Sequence, residues 1–136
     1  MNYKIVSKYI KDLSFEITGA KSYFLLEKSI KDFSVNFDIK SQKINQSVIE
    51  VDTTLYLISK KNTKLSPVSI CFSSLINLEK ELEKKELEKI ILIEVPKSVY
   101  PDIRSTLCFL FEKSGFKNVN LQQEVDFERL YLSKKS

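Results

Sequence analysis

The sequence has no histidine and no tryptophan, and it has only two glycines and three prolines among its 136 residues. Without histidine, the chain loses the most common general base and the most common metal ligand of proteins. Because Gly19 and Gly115 are the only glycines, there is no glycine-rich loop to cradle a phosphate group. We therefore expect a protein that is not an enzyme and that uses neither a cofactor nor a metal ion.

The sequence also lacks a long uncharged apolar run, and no stretch approaches the roughly 20 residues that a membrane-spanning helix needs. Its first residues do not place an apolar segment behind a basic patch, as a signal peptide would. These two absences predict a cytoplasmic protein. The two cysteines, Cys71 and Cys108, each lie in a short apolar stretch, which favours free, buried thiols over a disulfide or a metal-binding pair.

Apolar residues make up 43% of the chain and charged residues 29%, which predicts a single domain with its own core over residues 1–136. The polar tail, about residues 133–136, is expected to fray. The net charge is +4, and the excess is N-terminal, because residues 1–64 carry 11 Lys and Arg against 7 Asp and Glu. A basic chain can bind nucleic acid, but these lysines are scattered, so nucleic-acid binding is the weaker hypothesis from a different functional class.

Apolar and polar residues alternate with a period of two in four segments of the first half, and this pattern predicts four strands. The segments are residues 3–17, 33–39, 49–57 and 68–72. The alternation is clearest in the second of them. The stretch 21–31 follows a break at Gly19 and is compatible with a helix, a strand or a packed loop.

The second half of the chain is rich in helix-forming residues. Leucine, glutamate and lysine dominate residues 78–89, which predicts a helix that faces solvent. Residues 90–95 read Ile-Ile-Leu-Ile-Glu-Val and either extend this helix or form a fifth, buried strand, because periodicity does not decide between the two for so short an apolar run. Pro96 is expected to end either element.

Two further helices are predicted near the C-terminus. One begins at Pro101, where a first-turn proline is tolerated, and ends before Gly115, where a left-handed cap is wanted. A last short helix begins near Asp126. Because the strands come first and the helices follow, the sequence predicts an α+β fold, with a four-stranded antiparallel sheet, helices packed on one of its faces and helices at the C-terminus.

Several short strings in this order resemble those of the SecB export chaperones. Residues 9–16 read Tyr-Ile-Lys-Asp-Leu-Ser-Phe-Glu, and this resembles the family's first strand, Tyr-x-Lys-Asp-(Ile/Leu)-Ser-Phe-Glu. Residues 49–51 resemble its Tyr-Glu-Val at the start of the third strand, and residues 100–104 resemble its Phe-Pro-Tyr-Ala-Arg at a helix start. Residues 125–131 are similar to the family's ending, so the resemblance extends over residues 9–131.

The resemblance implies a SecB-like sheet backed by helices, assembled as a homotetramer that is a dimer of dimers. It also implies apolar grooves that hold unfolded preproteins before delivery to the SecA motor. Such a holdase binds its clients by burying apolar surface, without chemistry and without one defined partner shape. The residues that the resemblance places in the groove walls are Phe33, Val35, Phe37, Ile39, Leu75, Ile76 and Leu78, and the alternative for each of them is the ordinary core.

Asp12 and Glu16 match the acids that in SecB face the basic tail of SecA, which implies a SecA-binding role for both. Where the family usually has a further acid on the fourth strand, this chain has Cys71. Its net positive charge also lowers the attraction for a basic partner. The sequence therefore supports two chaperone hypotheses: a general holdase that keeps preproteins export-competent for SecA, and a SecB-like chaperone dedicated to one client, such as the antitoxin of a toxin–antitoxin system.

Overall fold

The computed structural model describes residues 2–29, 33–59, 68–116, 119 and 121–135. These residues form four strands and four α-helices, in the order β1 (Tyr3–Phe15), α1 (Ala20–Ser29), β2 (Phe33–Lys43), β3 (Val48–Ser59), β4 (Val68–Leu78), α2 (Lys84–Lys89), α3 (Val95–Lys113) and α4 (Phe127–Lys135). A short π-helical segment, Ile90–Glu94, joins α2 to α3.

The four strands form one antiparallel sheet in the order β1-β4-β3-β2. Strands β2, β3 and β4 are neighbours in sequence and in space, while β1 returns to lie beside β4, which is a Greek-key arrangement. The predicted α+β fold with a four-stranded antiparallel sheet and helices on one face is confirmed. The predicted helix from residue 78 is wrong at its start, because β4 continues to Leu78, which pairs with Tyr3 of β1.

The hairpin between β2 and β3 is fixed by the side chain of Asn45. Its Oδ1 accepts hydrogen bonds from the amides of Ser47 and Val48, both at 2.9 Å. This is the local bonding pattern that makes asparagine a turn residue. The amide of Ile44 donates to the carbonyl of Val48 at 2.9 Å and closes the ladder.

The core lies between one face of the sheet, here called the inner face, and α3. Every second residue of β3 and β4 points to this face, as a period of two requires. The inner-face residues that are buried include Ile49, Val51, Leu55, Leu57, Val68, Ile70, Phe72 and Ile76. They pack against a stripe of α3 with four-residue spacing, formed by Val95, Val99, Ile103, Leu107 and Phe111.

The helices α2 and α3 and the π-helical segment between them form one continuous helical stretch. The open alternative for residues 90–95 is therefore resolved as helix, since the amide of Val95 bonds to the carbonyl of Ile90 five residues earlier. The prediction that Pro96 ends the element is wrong, and so is the start at Pro101, which lies inside α3. A proline in a helix interior costs about 3 kcal/mol, and the buried stripe on both sides of Pro101 offsets this cost.

The C-terminus of α3 ends in the predicted glycine cap. Gly115 has φ +85°, and the amide of Phe116 donates to the carbonyl of Phe111 at 3.0 Å, which is the pattern of a Schellman motif. The hydroxyl of Tyr23 donates to the carbonyl of Gly115 at 2.9 Å and ties α1 to this end of α3. Of the stretch 21–31 that the sequence left open, residues 21–29 are helical, and residues 30 and 31 lie outside the described residues.

The last helix begins where the sequence predicts. Asp126 caps α4, because its Oδ1 accepts a hydrogen bond from the amide of Arg129 at 3.0 Å. The buried side of this helix, which carries Phe127 and Tyr131, faces the sheet. The helix extends to Lys135, and the fraying of the tail stays a prediction.

Candidate functional site

A cavity of about 880 Å³ lies beside β2, on the inner face of the sheet. The strand contributes Val35, Phe37 and Ile39, which are consecutive inner-face residues of its alternating pattern. The opposite wall comes from Tyr100 of α3, Leu92 of the π-helical segment and a larger group from the C-terminal part of the chain. That group consists of Leu121, Val125, Leu130 and Tyr131, together with polar neighbours.

The rings of Phe37 and Tyr100 line this cavity as its floor, and Phe127, which is not a lining residue, packs against both of them. The ring of Phe37 meets that of Phe127 edge-on with centroids 5.0 Å apart, and it meets the ring of Tyr100 at 5.9 Å. Edge-to-face pairs at this separation are favourable beyond the area they bury. The floor therefore consists of packed aromatic rings, while Val35 and Leu130 at the margins are still 41% and 38% exposed.

Two hydrogen bonds hold the segment before α4 over the end of the cavity. The Tyr100 hydroxyl donates to the carbonyl of Gln122, and the Arg104 Nε donates to the carbonyl of Leu121 at 3.1 Å. Burial raises the pKa of Tyr100, so its hydroxyl keeps its proton and remains a donor at neutral pH. The position of Leu121 in the wall is thus set by side chains of α3.

The remaining wall of the cavity carries charge at a few points. Glu88, Asp126 and Arg129 lie among its lining residues, and Asp126 is already engaged as the cap of α4. An aliphatic and aromatic trough with a few polar groups at its edge binds apolar segments by excluding water from both surfaces. The arrangement is suited to holding a ligand and offers no evident reacting pair.

The structure brings together only part of the groove that the resemblance implied. Val35, Phe37 and Ile39 line the cavity, and the side chain of Phe33 lies outside the described part of the chain. Leu75 points to the other face of the sheet, opposite Glu50. Ile76 is fully buried in the core.

Leu78 is partly buried against the same core and does not line the cavity. The wall residues that sequence reasoning missed are mainly in α4 and in the segment before it. Their signal was the apolar stripe of the last helix, but nothing local in the sequence shows that this stripe faces β2 across a gap.

The opposite, outer face of the sheet carries a polar network across β1, β3 and β4. Lys11 Nζ lies 3.1 Å from Glu50 Oε1 and 2.8 Å from Asp52 Oδ2. The Tyr9 hydroxyl donates to Glu50 Oε2 at 2.5 Å, and the Ser73 hydroxyl donates to Asp52. The hydrogen bonds from Tyr9 and Lys11 lower the pKa of Glu50, so this carboxylate is ionised beside the ammonium group of Lys11.

Asp12 and Glu16 take no part in this network. Asp12 is on the outer face opposite Cys71, and Glu16 follows the end of β1; both are exposed. Within the described part of the chain, neither forms an ion pair within 4.0 Å. Both carboxylates are therefore accessible to a basic partner.

The cysteines differ slightly from the prediction. Cys71 and Cys108 are both free, but each is only partly buried. Burial is nonetheless the largest influence on Cys71 and raises the pKa of its thiol. Among the described residues, no group of three or more histidines, cysteines and acids comes together as a metal site, and no helix is long and apolar enough to cross a membrane.

Comparisons with known proteins agree with one another. A family model described as preprotein translocase subunit SecB matches residues 1–136. A putative protein-export protein SecB from Pelagibacter ubique is 34% identical over 132 residues, which cover 96% of this chain and 94% of the relative. The protein-export protein SecB of Rhodospirillum rubrum is 28% identical over 130 residues, covering 93% and 78% of the two chains.

A solved structure with a similar fold is that of a SecB-like chaperone of Mycobacterium tuberculosis in complex with a peptide from an antitoxin. The TM-score is 0.67, and the match covers 89% of this chain and 86% of the other. At 14% sequence identity, this likeness shows the shared fold alone.

Proposed function

The chain belongs to the SecB family of protein-export chaperones, and from this premise we propose that it is a cytoplasmic holdase without catalytic activity. It binds unfolded preproteins in the cavity between β2 and α4 and keeps them export-competent. The observation that carries this proposal is the aromatic-floored cavity of about 880 Å³ beside β2. Its margins at Val35 and Leu130 are still exposed to solvent.

The physical basis of holding is the burial of apolar surface. An unfolded segment that covers the cavity gains about 25 cal/mol for each Å² of apolar surface removed from water. Because this gain is not directional, clients of different sequence are accepted. Folded proteins have already buried such segments, so the cavity selects for the unfolded state.

Assembly into a homotetramer is proposed for the same chain. Apolar residues outside the cavity remain exposed in the isolated subunit: Val6 and Ile10 of β1 at 57% and 46%, and Phe109 of α3 at 56%. Exposed apolar groups of this kind mark surfaces that another protein covers. Light scattering at micromolar concentration tests the assembly, and a strict monomer would contradict it.

A contact with SecA is proposed through Asp12 and Glu16. Glu50 and Asp52 on the same face are already paired with Lys11, so they offer little to a basic tail. The two accessible acids at β1 would then carry the attraction. The net charge of +4 makes this contact weaker than it would be on an acidic chaperone.

A chaperone dedicated to one client is the second candidate. Two observations favour it: the basic net charge, and Cys71 at the strand-four position where the family usually has an acid. The fold neighbour is a SecB-like chaperone in complex with a peptide from an antitoxin. Identification of the polypeptides that co-purify with the full chain separates the candidates, since many clients support the general role and one client supports the dedicated role.

The test of holding uses a preprotein unfolded in denaturant and then diluted into buffer with the chaperone. We expect the wild-type chain to slow refolding and aggregation in proportion to its concentration. Val35→Lys places a charge at the margin of the cavity and is expected to weaken this effect about tenfold or more, because a buried charge is costly. Ile44→Lys is the matched control, since Ile44 is 53% exposed and lies in the β2–β3 turn outside the cavity.

Equal loss in the two variants would show that any added lysine disturbs holding, and it would count against the cavity as the site. Absence of holding by the wild-type chain would contradict the proposed function itself.

A further inference from the structure

An irregularity in β1 places two opposite charges side by side on the outer face of the sheet. Ile10 pairs with Phe72 on the inner face, and the next pair in the ladder is Asp12 with Cys71 on the outer face. Lys11 lies between these pairs as an extra residue. In a regular strand, Ile10 and Asp12 would share a face. The extra residue brings Lys11 and Asp12 to the same face, where the ammonium group and the carboxylate are within reach of each other.

Lys11 nevertheless binds to β3 and not to Asp12. Its Nζ lies 2.8 Å from Asp52 Oδ2 and 3.1 Å from Glu50 Oε1. Within the described part of the chain, Asp12 forms no ion pair within 4.0 Å. The hydrogen bonds to Asp52 and Glu50 raise the pKa of Lys11, so this side chain remains a cation at neutral pH.

The small residues of β4 allow Lys11 to reach β3. Strand β4 lies between β1 and β3, and its outer-face residues at this position are Cys71 and Ser73. Neither carries a carboxylate that could bind the ammonium group on β4 itself. Burial is the main cause of the raised pKa of Cys71, and the charges of Asp52, Lys11 and Asp12 also act on its thiol. The three charged groups therefore lie around Cys71.

Two hydroxyl groups fix the carboxylates that bind Lys11. The Tyr9 hydroxyl donates to Glu50 Oε2 at 2.5 Å, and the Ser73 hydroxyl donates to Asp52. The side chains of Glu50 and Asp52 are only 14% and 22% exposed. Carboxylates covered to this degree offer little surface to another protein, but they are well placed to bind a side chain of their own chain.

Resting on the contact between Asp12 and the basic tail of SecA proposed above, we propose that Glu50 and Asp52 are positioning residues for this contact. They hold Lys11 on β3 and thereby leave Asp12 open to a cation of the partner. Without them, Lys11 is released and pairs with Asp12. Because Lys11 is tethered to the adjacent residue, its local concentration at Asp12 exceeds that of a partner in solution.

The probe is the peptide acetyl-Trp-Gly-Lys-Arg-Gly-Lys-Arg-Gly-amide, added to the full chain at low salt. Because the chain has no tryptophan, the fluorescence anisotropy of the peptide indole reports binding alone. Glu50→Gln together with Asp52→Asn releases Lys11 and is expected to weaken binding about five- to tenfold. In a chain that also carries Lys11→Met, the same two substitutions are expected to weaken binding less than about twofold, since only screened, distant charge is lost.

The comparison of the two backgrounds separates positioning from net charge, because the same two carboxylates are removed in each. A larger loss in the presence of Lys11 supports the inference. An equal or larger loss in the Lys11→Met background overturns it, because Glu50 and Asp52 would then attract the peptide themselves. Circular dichroism and the urea midpoint of each variant show whether it is folded.

A milder set of variants repeats the test with less risk to folding. Asp12→Asn is expected to weaken binding about threefold in the wild-type chain. After Asp52→Asn, which removes the shorter of the two contacts of Lys11, it is expected to weaken binding less than about 1.5-fold, because Asp12 is then already paired. Asp38→Asn is the matched control, since it removes an acid of the same face on β2, and after it the effect of Asp12→Asn should remain about threefold.

The inference and the proposed contact fail separately. Equal effects of Asp12→Asn after Asp52→Asn and after Asp38→Asn overturn the positioning role and leave the contact at Asp12 in place. If the wild-type chain does not bind the peptide, or if Asp12→Asn does not weaken binding, the contact itself is contradicted and the positioning role with it. Holding of unfolded preproteins depends on the other face and is unaffected by either result.

Discussion

The inner and outer faces of the sheet use the same strands for different purposes. On the inner face, apolar residues of β3 and β4 are sealed by α3, whereas beside β2 the surface opens into a cavity. On the outer face, Lys11 binds two carboxylates, while Asp12 remains exposed. One face therefore combines a sealed core with an open apolar cavity, and the other presents charge.

The largest expected effect is on the free energy of unfolding, which should differ between substitutions in the sealed part of the inner face and on the outer face. Leu107 is fully buried in α3, and Leu107→Ala is expected to lower the free energy of unfolding by about 2–5 kcal/mol, because it leaves a cavity that the neighbours fill only in part. Leu75→Ala, on the outer face and only partly buried, is expected to cost less than half as much. Urea denaturation at one fixed protomer concentration measures both.

Similar losses for the two leucines would show that another subunit or an undescribed segment buries the outer face as well.

A smaller effect is expected for charge on the outer face. Asp12→Lys reverses an accessible charge near β1 and is expected to weaken binding of the basic SecA tail about three- to tenfold at low salt, with a smaller effect at high salt. Asp38→Lys is the control, because Asp38 is on the same face but on the edge strand β2. Its Oδ2 lies 3.7 Å from Lys40 Nζ. Calorimetry with the isolated tail peptide measures both.

An unchanged affinity in the Asp12 variant would show that this acid takes no part in the contact. An equal loss in the Asp38 variant would show that only the total charge matters.

The smallest expected effect concerns the dependence of stability on pH. Hydrogen bonds from Tyr9 and Lys11 lower the pKa of Glu50 from 4.5, so its ionised form favours the folded state. This contribution is present above pH 4.5 and is lost as the pH falls through the lower, folded-state pKa. The urea midpoint of the wild type should therefore fall more steeply below pH 4.5 than that of Glu50→Gln.

Parallel curves for the two proteins would show that the pairing of Glu50 with Lys11 does not differ between the folded and unfolded states.

The sequence was sufficient to predict a structural feature wherever the feature depends on neighbouring residues alone. The alternation in β2 and the glycine after α3 were both read correctly, because each depends on a few neighbouring residues. The stretch 90–95 and the prolines after it were harder, since burial of the stripe from Val95 to Phe111 decides that helix, and burial depends on residues far away in sequence.

Only part of the candidate site could be predicted from the sequence, for the same reason. Val35, Phe37 and Ile39 were named from the family resemblance and do line the cavity, but the facing wall around Leu121 is held by hydrogen bonds from α3. The pairing of Lys11 with Glu50 and Asp52 crosses three strands and depends on the shift at Lys11. No rule on sequence spacing predicts such a register.

The π-helical segment has a consequence for how the chain tolerates changes in length. A residue inserted into an α-helix turns everything after it by about 100° around the axis. The wider turn at Ile90–Glu94 accommodates one additional residue. The rotation of α2 about the helix axis is therefore not fixed by that of α3. A one-residue deletion within this turn is thus expected to be absorbed as ordinary α-helix, whereas the same deletion in the middle of α3 would swing its later half off the sheet.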